Sequence, residues 1–165
     1  MTENVWAQFL TVANLPESEI DLGKAAFLLA ASEKPDVDVE LQMGLLDSLA
    51  SAASIRLGRN PEPLTAINNL SQYLFDELGF VGNRDNYYDP NNSFLDEVLR
   101  RRSGIPITLS LVYIETAARL DIPLLGVGMP GHFLVRHRDI EDLIIDPFEF
   151  GILLSEEECA DRLRQ

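Results

Sequence analysis

The longest run of hydrophobic positions lies between Gly104 and Gly151, and it predicts a buried helix followed by short strands. The segment Pro106 to Leu120 has apolar residues on almost every side, which is typical of a helix covered by other elements. Three later segments are short, rich in leucine or β-branched residues, and bounded by glycine, proline or charged residues, which favours strands. These predicted strands are Leu124 to Met129, Gly131 to His137 and Leu143 to Ile145.

The polar residues 138–142 predict a connection that folds the last two strands into an antiparallel hairpin. If the hairpin folds back about Asp139, His132 lies opposite Asp146, with Cβ atoms about 5 Å apart. Pro147 favours an extended conformation at Asp146 and keeps that residue on the strand. A carboxylate beside an imidazole fixes the tautomer of the histidine and stabilises its cation. The pair is therefore a candidate general base and orienting group, and it lacks a nucleophile.

Residues 1–78 show helical periodicity and no strong strand pattern. Apolar residues recur three or four positions apart, as in the series Leu41, Leu45 and Leu49. The predicted helical segments are Val5 to Val12, Pro16 to Ala31, Val37 to Leu57 and Leu64 to Leu78. We predict an α+β fold in one domain, residues 1–165, in which the helical N-terminal half, residues 1–78, packs on a helix-and-sheet core at 80–159.

Composition narrows the class of protein. Hydrophobic residues make up 46% of the 165 residues, enough for one compact core. A net charge of −14 argues against binding to nucleic acid or to an anionic membrane surface. No apolar run approaches the ~18 residues that cross a bilayer, and the first residues lack the basic segment of a secretory signal. The single cysteine, Cys159, excludes an intrachain disulfide and fits a cytoplasmic location.

Several short motifs occur in the order found in a known family. Gly104-Ile-Pro-Ile-Thr108 opens the predicted helix, Gly131-His-Phe-Leu-Val-Arg136 carries the histidine, and Ile145-Asp-Pro-Phe148 carries the aspartate. In these motifs the chain resembles the transglutaminase-like superfamily. The run from Gly82 to Arg102 is similar to its bacterial SirB-type branch in particular. The resemblance covers Phe80 to Cys159 and implies a core of the papain-like cysteine-protease type, with a buried central helix against a small antiparallel sheet.

The resemblance also assigns site residues. In active members of the superfamily a Gly-x-Cys opens the buried helix, a histidine follows on a strand, and an aspartate precedes a proline on the next strand. By this resemblance His132 and Asp146 match the family histidine and aspartate, and Pro106 stands at the position of the nucleophilic cysteine. A cysteine there would be favoured as thiolate by the helix dipole and the histidine. Proline has no nucleophilic atom, although it is a preferred first residue of a helix.

Two other residues could replace the missing nucleophile. Ser110 shares the helix face of Pro106 but lies about 6 Å further along the axis, so it would reach His132 only if the histidine strand shifted. The alternative is a hydrogen bond from Ser110 back to the carbonyl of Pro106. Cys159 lies in a helix that begins with the capping-box pattern Ser155 to Glu158, and its acidic neighbours raise the pKa of the thiol. We therefore interpret Cys159 as a structural residue.

The segment Asn83 to Asn92 is the least regular segment of the chain and is crowded with Asn, Asp and Tyr. An EF-hand alignment fails, because it places Tyr88 where the loop glycine belongs and Phe94 where the glutamate belongs. We predict that the polar side chains cap turns and that the tyrosines pack over the core, with ligand binding by this loop as the alternative. His137 alternates to the other strand face from His132, which disfavours a shared zinc site. No metal and no cofactor is predicted.

Two hypotheses for function remain. The first is a non-catalytic transglutaminase-like module that acts through contacts with a protein partner whose identity and stoichiometry the sequence does not give. The resemblance supports it, since the SirB-type branch commonly continues into tetratricopeptide-type helical repeats suited to partner binding. The chain stops within a predicted helix at Arg162 to Gln165, which indicates either a shortened form or a short member. The second hypothesis is an acyl-transfer enzyme, an amide hydrolase or transamidase, that uses Ser110 or a water activated by His132 and Asp146. The proline at position 106 favours the first.

Overall fold

In the computed structural model, which describes residues 2–164, the chain has an α+β fold, as the sequence predicts. Its first half is helical, and its second half places a buried helix against a small sheet. The α-helices are α1 (Thr2–Ala13), α2 (Leu22–Glu33), α3 (Val39–Leu57), α4 (Pro63–Ser71), α5 (Leu95–Arg101), α6 (Pro106–Ala118) and α7 (Glu156–Leu163). The strands are β1 (Val81–Gly82), β2 (Ser103–Gly104), β3 (Leu124–Met129), β4 (His132–His137), β5 (Ile144–Asp146) and β6 (Ile152–Leu154).

The start of α2 differs from the sequence prediction. The side chain of Asp21 accepts a hydrogen bond from the backbone N–H of Lys24, with a distance of 2.8 Å. Because such a cap satisfies an N–H that has no partner within the helix, the helix begins at Leu22 and not at Pro16. Residues Glu17–Glu19 form a separate 3₁₀ turn.

The last helix predicted for this half, Leu64 to Leu78, is present as two consecutive segments. α4 continues directly into a π-helical turn at Gln72–Glu77, and Gly79 follows with a φ angle of 76°. Within residues 2–164, no helix combines the length and the apolar character that crossing a bilayer requires.

The main sheet is antiparallel, with its strands in the order β3, β4, β5 and β6. A separate two-residue parallel pair joins β1 to β2. The strands β1, β2 and β6 were not predicted, because two or three residues are too few to show an alternating pattern. The edge strand β6 pairs Ile152 with Asp146 and so fixes the end of β5.

The β4–β5 hairpin has a different register from the one predicted. Val135 pairs with Ile145, which moves the pairing by two residues from a turn centred on Asp139. The turn is centred one residue later, and the backbone N–H of Leu143 donates to the carbonyl of Ile140 at 3.3 Å. Side chains alternate with a period of two, so a shift of two residues keeps His132 and Asp146 on the same face as diagonal neighbours.

Helix α6 is the centre of the core. It begins at Pro106, as predicted, and ends at Ala118, two residues before the predicted Leu120. Tyr113 is fully buried on it and donates a hydrogen bond to the carbonyl of Ile67 at 3.0 Å. Burial raises the pKa of the Tyr113 phenol above its ordinary value, so the hydroxyl stays protonated as a donor. One hydrophobic cluster joins α6 to both halves of the chain and includes Phe27, Leu46, Ile67, Leu109, Val135 and Ile145.

The turn between β5 and β6 provides a test of this packing. Gly151 has a φ angle of 71°, and a Cβ added there would collide with Ser71 Oγ and lie 2.7 Å from Cε2 of Phe75. We expect Gly151→Ala to lower the free energy of unfolding by about 2 to 4 kcal/mol, from backbone strain and overpacking. As a matched control, Gly44 lies in α3 with open space around it, so Gly44→Ala should stabilise by about 0.5 to 1 kcal/mol. Urea unfolding monitored by circular dichroism measures both, and equal effects would contradict the packing described.

Candidate functional site

A cleft of about 390 Å³ opens at the beginning of α6. It brings together side chains from four different regions of the chain: the start of α6, the start of β4, the turn after β5, and α7. The loop before α5 closes one side of it. The lining residues are Tyr87, Pro106, Gly131, His132, Phe148, Glu149 and Arg162.

His132 and Asp146 are in direct contact beside this cleft. The distance from Nε2 of His132 to Oδ2 of Asp146 is 2.8 Å. The Asp146 side chain is fully buried, whereas that of His132 is 19% exposed. A carboxylate only accepts hydrogen bonds, so Nε2 carries a proton, and in the neutral form of the imidazole the lone pair is on Nδ1. Nδ1 of His132 has no hydrogen-bond partner among residues 2–164, so a neutral imidazole could accept a proton at this atom.

The other oxygen of Asp146 organises the backbone. Oδ1 accepts hydrogen bonds from the backbone N–H groups of Phe148, at 3.1 Å, and Glu149, at 3.3 Å. Asp146 thus caps the 3₁₀ turn Pro147–Glu149 that follows β5. The same residue holds the imidazole and shapes the wall of the cleft.

Arg162 is a third partner that the sequence analysis missed. Its Nη1 contacts the same Oδ2 atom of Asp146 that His132 contacts. The guanidinium neutralises the buried carboxylate and lowers the cost of burying its charge. Arg162 stands on α7, whose capping box is confirmed: the N–H of Glu158 donates to Ser155 Oγ at 3.2 Å, and the N–H of Ser155 donates to Glu158 at 2.7 Å. The sequence showed the helix and a basic residue in its last turn, but not that this turn lies beside Asp146.

The two residues of α6 that matter for a nucleophile have different surroundings. Pro106 lines the cleft at the start of the helix and offers no reactive atom. Ser110, one turn deeper, is fully buried and does not line the cleft. Its Oγ has no hydrogen-bond partner within the described residues, so the predicted bond to the Pro106 carbonyl is wrong. Thr116 on the same helix does make such a bond, at 2.7 Å to the carbonyl of Val112.

Phe148 forms the aromatic wall of the cleft. Its ring packs edge-on against Tyr87, with centroids 6.1 Å apart, and against His132, with centroids 5.9 Å apart. The guanidinium of Arg84 lies 5.0 Å from the centroid of the same ring and pairs with Glu149 at 2.5 Å. Gly82 in β1 permits this arrangement, because a Cβ there would be 2.5 Å from the ring.

The Asn83 to Asn92 loop is built around one buried amide. Asn92 donates to the carbonyls of Asn86, at 2.8 Å, and Tyr87, at 3.0 Å, and its Oδ1 accepts from Asn83 at 2.9 Å. The carbonyl of Asn92 accepts a hydrogen bond from Thr108 Oγ1 at 2.9 Å, which joins the loop to the first turn of α6. The prediction that polar side chains of this loop organise its turns is confirmed.

The prediction for the tyrosines is wrong for Tyr88, which is 93% exposed. Asn92 binds the backbone carbonyls of Asn86 and Tyr87, whereas the Tyr88 side chain extends into solvent. Tyr87 packs, as predicted, against a residue of the hydrophobic core cluster, Phe148, and it also lines the cleft.

The remaining candidate residues lie outside the cleft. Burial raises the pKa of the Cys159 thiol, with Glu158, Asp146 and Glu156 adding to the rise and Arg162 opposing it. His137 is buried at the other end of β4, where its Nδ1 accepts from the backbone N–H of Asp139 at 3.1 Å. Among residues 2–164, no group of three or more His, Cys, Asp and Glu side chains is arranged to hold a metal ion.

Comparison with known proteins finds similar proteins in bacteria and in a mammal. A UPF0162 protein of Xylella fastidiosa strain 9a5c is 41% identical over 159 residues, which is 93% of this chain and 55% of that protein. A UPF0162 protein of Pseudomonas aeruginosa is 35% identical over 129 residues, or 76% of this chain and 46% of that protein. F-box only protein 21 of Mus musculus is 44% identical over 105 residues, which cover 58% of this chain and 16% of that protein. The chain spans about half the length of the bacterial relatives.

No solved structure gives a significant match. The family model described as the transglutaminase-like superfamily matches residues 43–165. This match begins within α3, well before Phe80, where the motif resemblance begins. It contains α6, His132 and Asp146, and it extends to the helix that carries Arg162. The chain belongs to the transglutaminase-like superfamily.

Proposed function

We propose that this chain is a non-catalytic transglutaminase-like domain of the SirB-type branch, and that it acts through contacts with a protein partner at the cleft. The observation that carries this proposal is the position of Pro106. At the start of α6, where the cleft meets the buried helix, the lining residue has no atom that can attack a carbonyl group. His132, the candidate base, lines the same cleft, and none of the lining residues in the described part of the chain is a cysteine, serine or threonine.

No nearby side chain replaces the nucleophile. A nucleophile acts only within hydrogen-bond reach of its base. Ser110 is fully buried below Pro106, outside the lining of the cleft. Cys159 also lies outside that lining, and its raised pKa leaves little of the thiol as thiolate near neutral pH. Covalent acyl transfer therefore has no attacking group in this arrangement.

The His132–Asp146 pair has a structural explanation that requires no catalysis. Asp146 accepts from two backbone N–H groups, from His132 and from Arg162. A fully buried carboxylate with these partners fixes the turn after β5 and attaches α7 to the sheet.

The relatives differ in length, which supports a domain that occurs in different proteins. The match to the Xylella protein covers 159 residues and 55% of that protein, whereas the match to mouse F-box only protein 21 covers 105 residues and 16% of that protein. A segment that recurs in proteins of such different length is typical of a domain combined with various neighbours. The exposed rings of Tyr87 and Tyr88, which pack edge-on against each other, supply surface suited to a protein contact.

The second candidate function is acyl transfer or amide hydrolysis by an activated water. One observation favours it: the cleft is open, and Nδ1 of His132 has no protein partner within the described residues. A water held there could be deprotonated by the imidazole. This candidate lacks the attacking side chain that the superfamily pattern supplies.

The first prediction concerns turnover. Incubated with amide, ester and glutamine-donor substrates, the protein should release no more product than its His132→Ala variant, because the base has no nucleophile to activate. Chromogenic ester hydrolysis and amine incorporation measure this. Turnover lost in both His132→Ala and Ser110→Ala would establish the serine enzyme, and turnover lost only in His132→Ala would establish the water mechanism.

The second prediction concerns the introduction of a cysteine at position 106. In a Cys159→Ser background, Pro106→Cys should create a thiol with a pKa below the ordinary value of about 8.5, because the helix dipole and His132 both favour the thiolate. The pH dependence of alkylation by iodoacetamide measures that pKa. Adding His132→Ala should move it back upward. An introduced thiol with an ordinary pKa, unaffected by His132→Ala, would show that the cleft does not have active-site geometry.

The third prediction concerns stability. Asp146→Ala should lower the free energy of unfolding by about 1 to 3 kcal/mol, because the buried imidazole N–H and backbone N–H groups lose their acceptor. Urea unfolding measures the loss. Asp161→Ala is the control, since this exposed carboxylate of α7 pairs only with the exposed Arg164 and should have an effect near zero. Equal effects of the two substitutions would remove the structural explanation for the pair.

A further inference from the structure

Arg162 has an unusual position for a residue of α7. No side chain of this helix is buried, yet its Arg162 side chain reaches the fully buried Asp146 and lines the cleft. Arg162 itself remains 31% exposed. The contact therefore runs from a peripheral helix into the centre of the candidate site.

Residues of the cleft and its surroundings bind two guanidinium groups, of which Arg162 lines the cleft and Arg84 contacts two of the lining residues. Arg162 contacts the carboxylate of Asp146, and Arg84 pairs with Glu149 at 2.5 Å while lying over the ring of Phe148 at 5.0 Å. Carboxylates combined with aromatic faces are the surroundings that bind guanidinium groups in proteins. The chemistry of the walls thus matches an arginine side chain.

We propose that Arg162 occupies, from within the chain, a binding site for an arginine side chain of the partner protein. When the partner binds, α7 withdraws and the incoming guanidinium takes the place of Arg162 on Asp146. This inference rests on the proposed function, since it names the partner chemistry for the same cleft. The net charge of −14 favours the approach of a basic segment.

The exchange keeps a guanidinium group on Asp146. One guanidinium replaces another on the same carboxylate oxygen, so the additional cost is the undocking of α7, which has no buried side chain to expose. Withdrawal without replacement is costly, because it leaves Asp146 buried with its charge no longer balanced by Arg162. The site therefore opens together with the arrival of a cation, and the intramolecular Arg162 reduces the apparent affinity for that cation.

The experiment measures binding of a fluorescein-labelled peptide, Gly-Gly-Arg-Gly-Gly, to the full chain at low ionic strength by fluorescence anisotropy. Arg162→Ala should bind this peptide about tenfold or more tightly than the unmodified protein, because the competing guanidinium is gone. The matched control is Arg164→Ala at the C-cap of the same helix, where the side chain is exposed and pairs with Asp161. It should leave the affinity unchanged. The same peptide with citrulline in place of arginine should bind neither variant, since citrulline has the same shape without the charge.

Equal affinity of the Arg162→Ala and Arg164→Ala variants for the arginine peptide would overturn the inference, as would equal binding of the citrulline peptide. If circular dichroism shows that Arg162→Ala is unfolded, the variant Arg162→Gln decides, since it keeps most of the side chain and removes the charge. The failure of this inference can be distinguished from the failure of the proposed function. Turnover in the enzyme assay would refute the non-catalytic proposal, whereas absence of both turnover and arginine-dependent binding would refute only arginine as the group that the partner inserts.

Discussion

The burial of the Asp146 carboxylate is the constraint on which the candidate site depends. An ionised group removed from water is tolerated only where donors and a countercharge surround it. Both oxygens meet this condition, one with two backbone N–H groups and the other with an imidazole and a guanidinium. Each donor fixes a different region of the fold: the turn after β5, the ring of His132, and the position of α7. The geometry of the cleft therefore follows from the need to surround the Asp146 carboxylate with donors and a countercharge.

The start of α6 is held in this geometry by hydrogen bonds from its first turn and from its middle. Near the first turn, Thr108 donates to the carbonyl of Asn92, which in turn organises the loop that carries Tyr87. Five residues later, Tyr113 donates to the carbonyl of Ile67 and shares a hydrogen bond of 2.9 Å with Ser71. Buried polar groups with satisfied partners specify one arrangement, so the helix cannot slide along the sheet without leaving them unpaired. Pro106 is therefore presented to the cleft in a fixed position.

The local sequence pattern was sufficient to predict the start of α6 and the shared face of His132 and Asp146. It was insufficient to predict contacts between elements that are distant in the sequence. The start of α6 at Pro106 follows from the preference of proline for the first helical position, and the common face of His132 and Asp146 follows from the period of two along a strand. That face survived an error of two residues in register, since an even shift preserves it. Arg162 could not be predicted, because its contact with Asp146 depends on where α7 packs and not on any sequence spacing near the site. The same holds for Ser110, whose lack of a partner reflects its surroundings in the core, and for β6, which is too short to show a pattern.

The fold places different requirements on Pro106 and Asp146. Proline is well suited to the first position of α6, because the N–H that it lacks would have no partner within the helix. The scaffold thus holds its shape without a nucleophile there. Asp146 has no such freedom, since its removal leaves an imidazole, a guanidinium and two backbone N–H groups without their acceptor. Catalysis is therefore unnecessary to account for a histidine–aspartate pair in this chain. The physical need to balance a buried charge is sufficient to explain why His132, Arg162 and two backbone N–H groups surround Asp146.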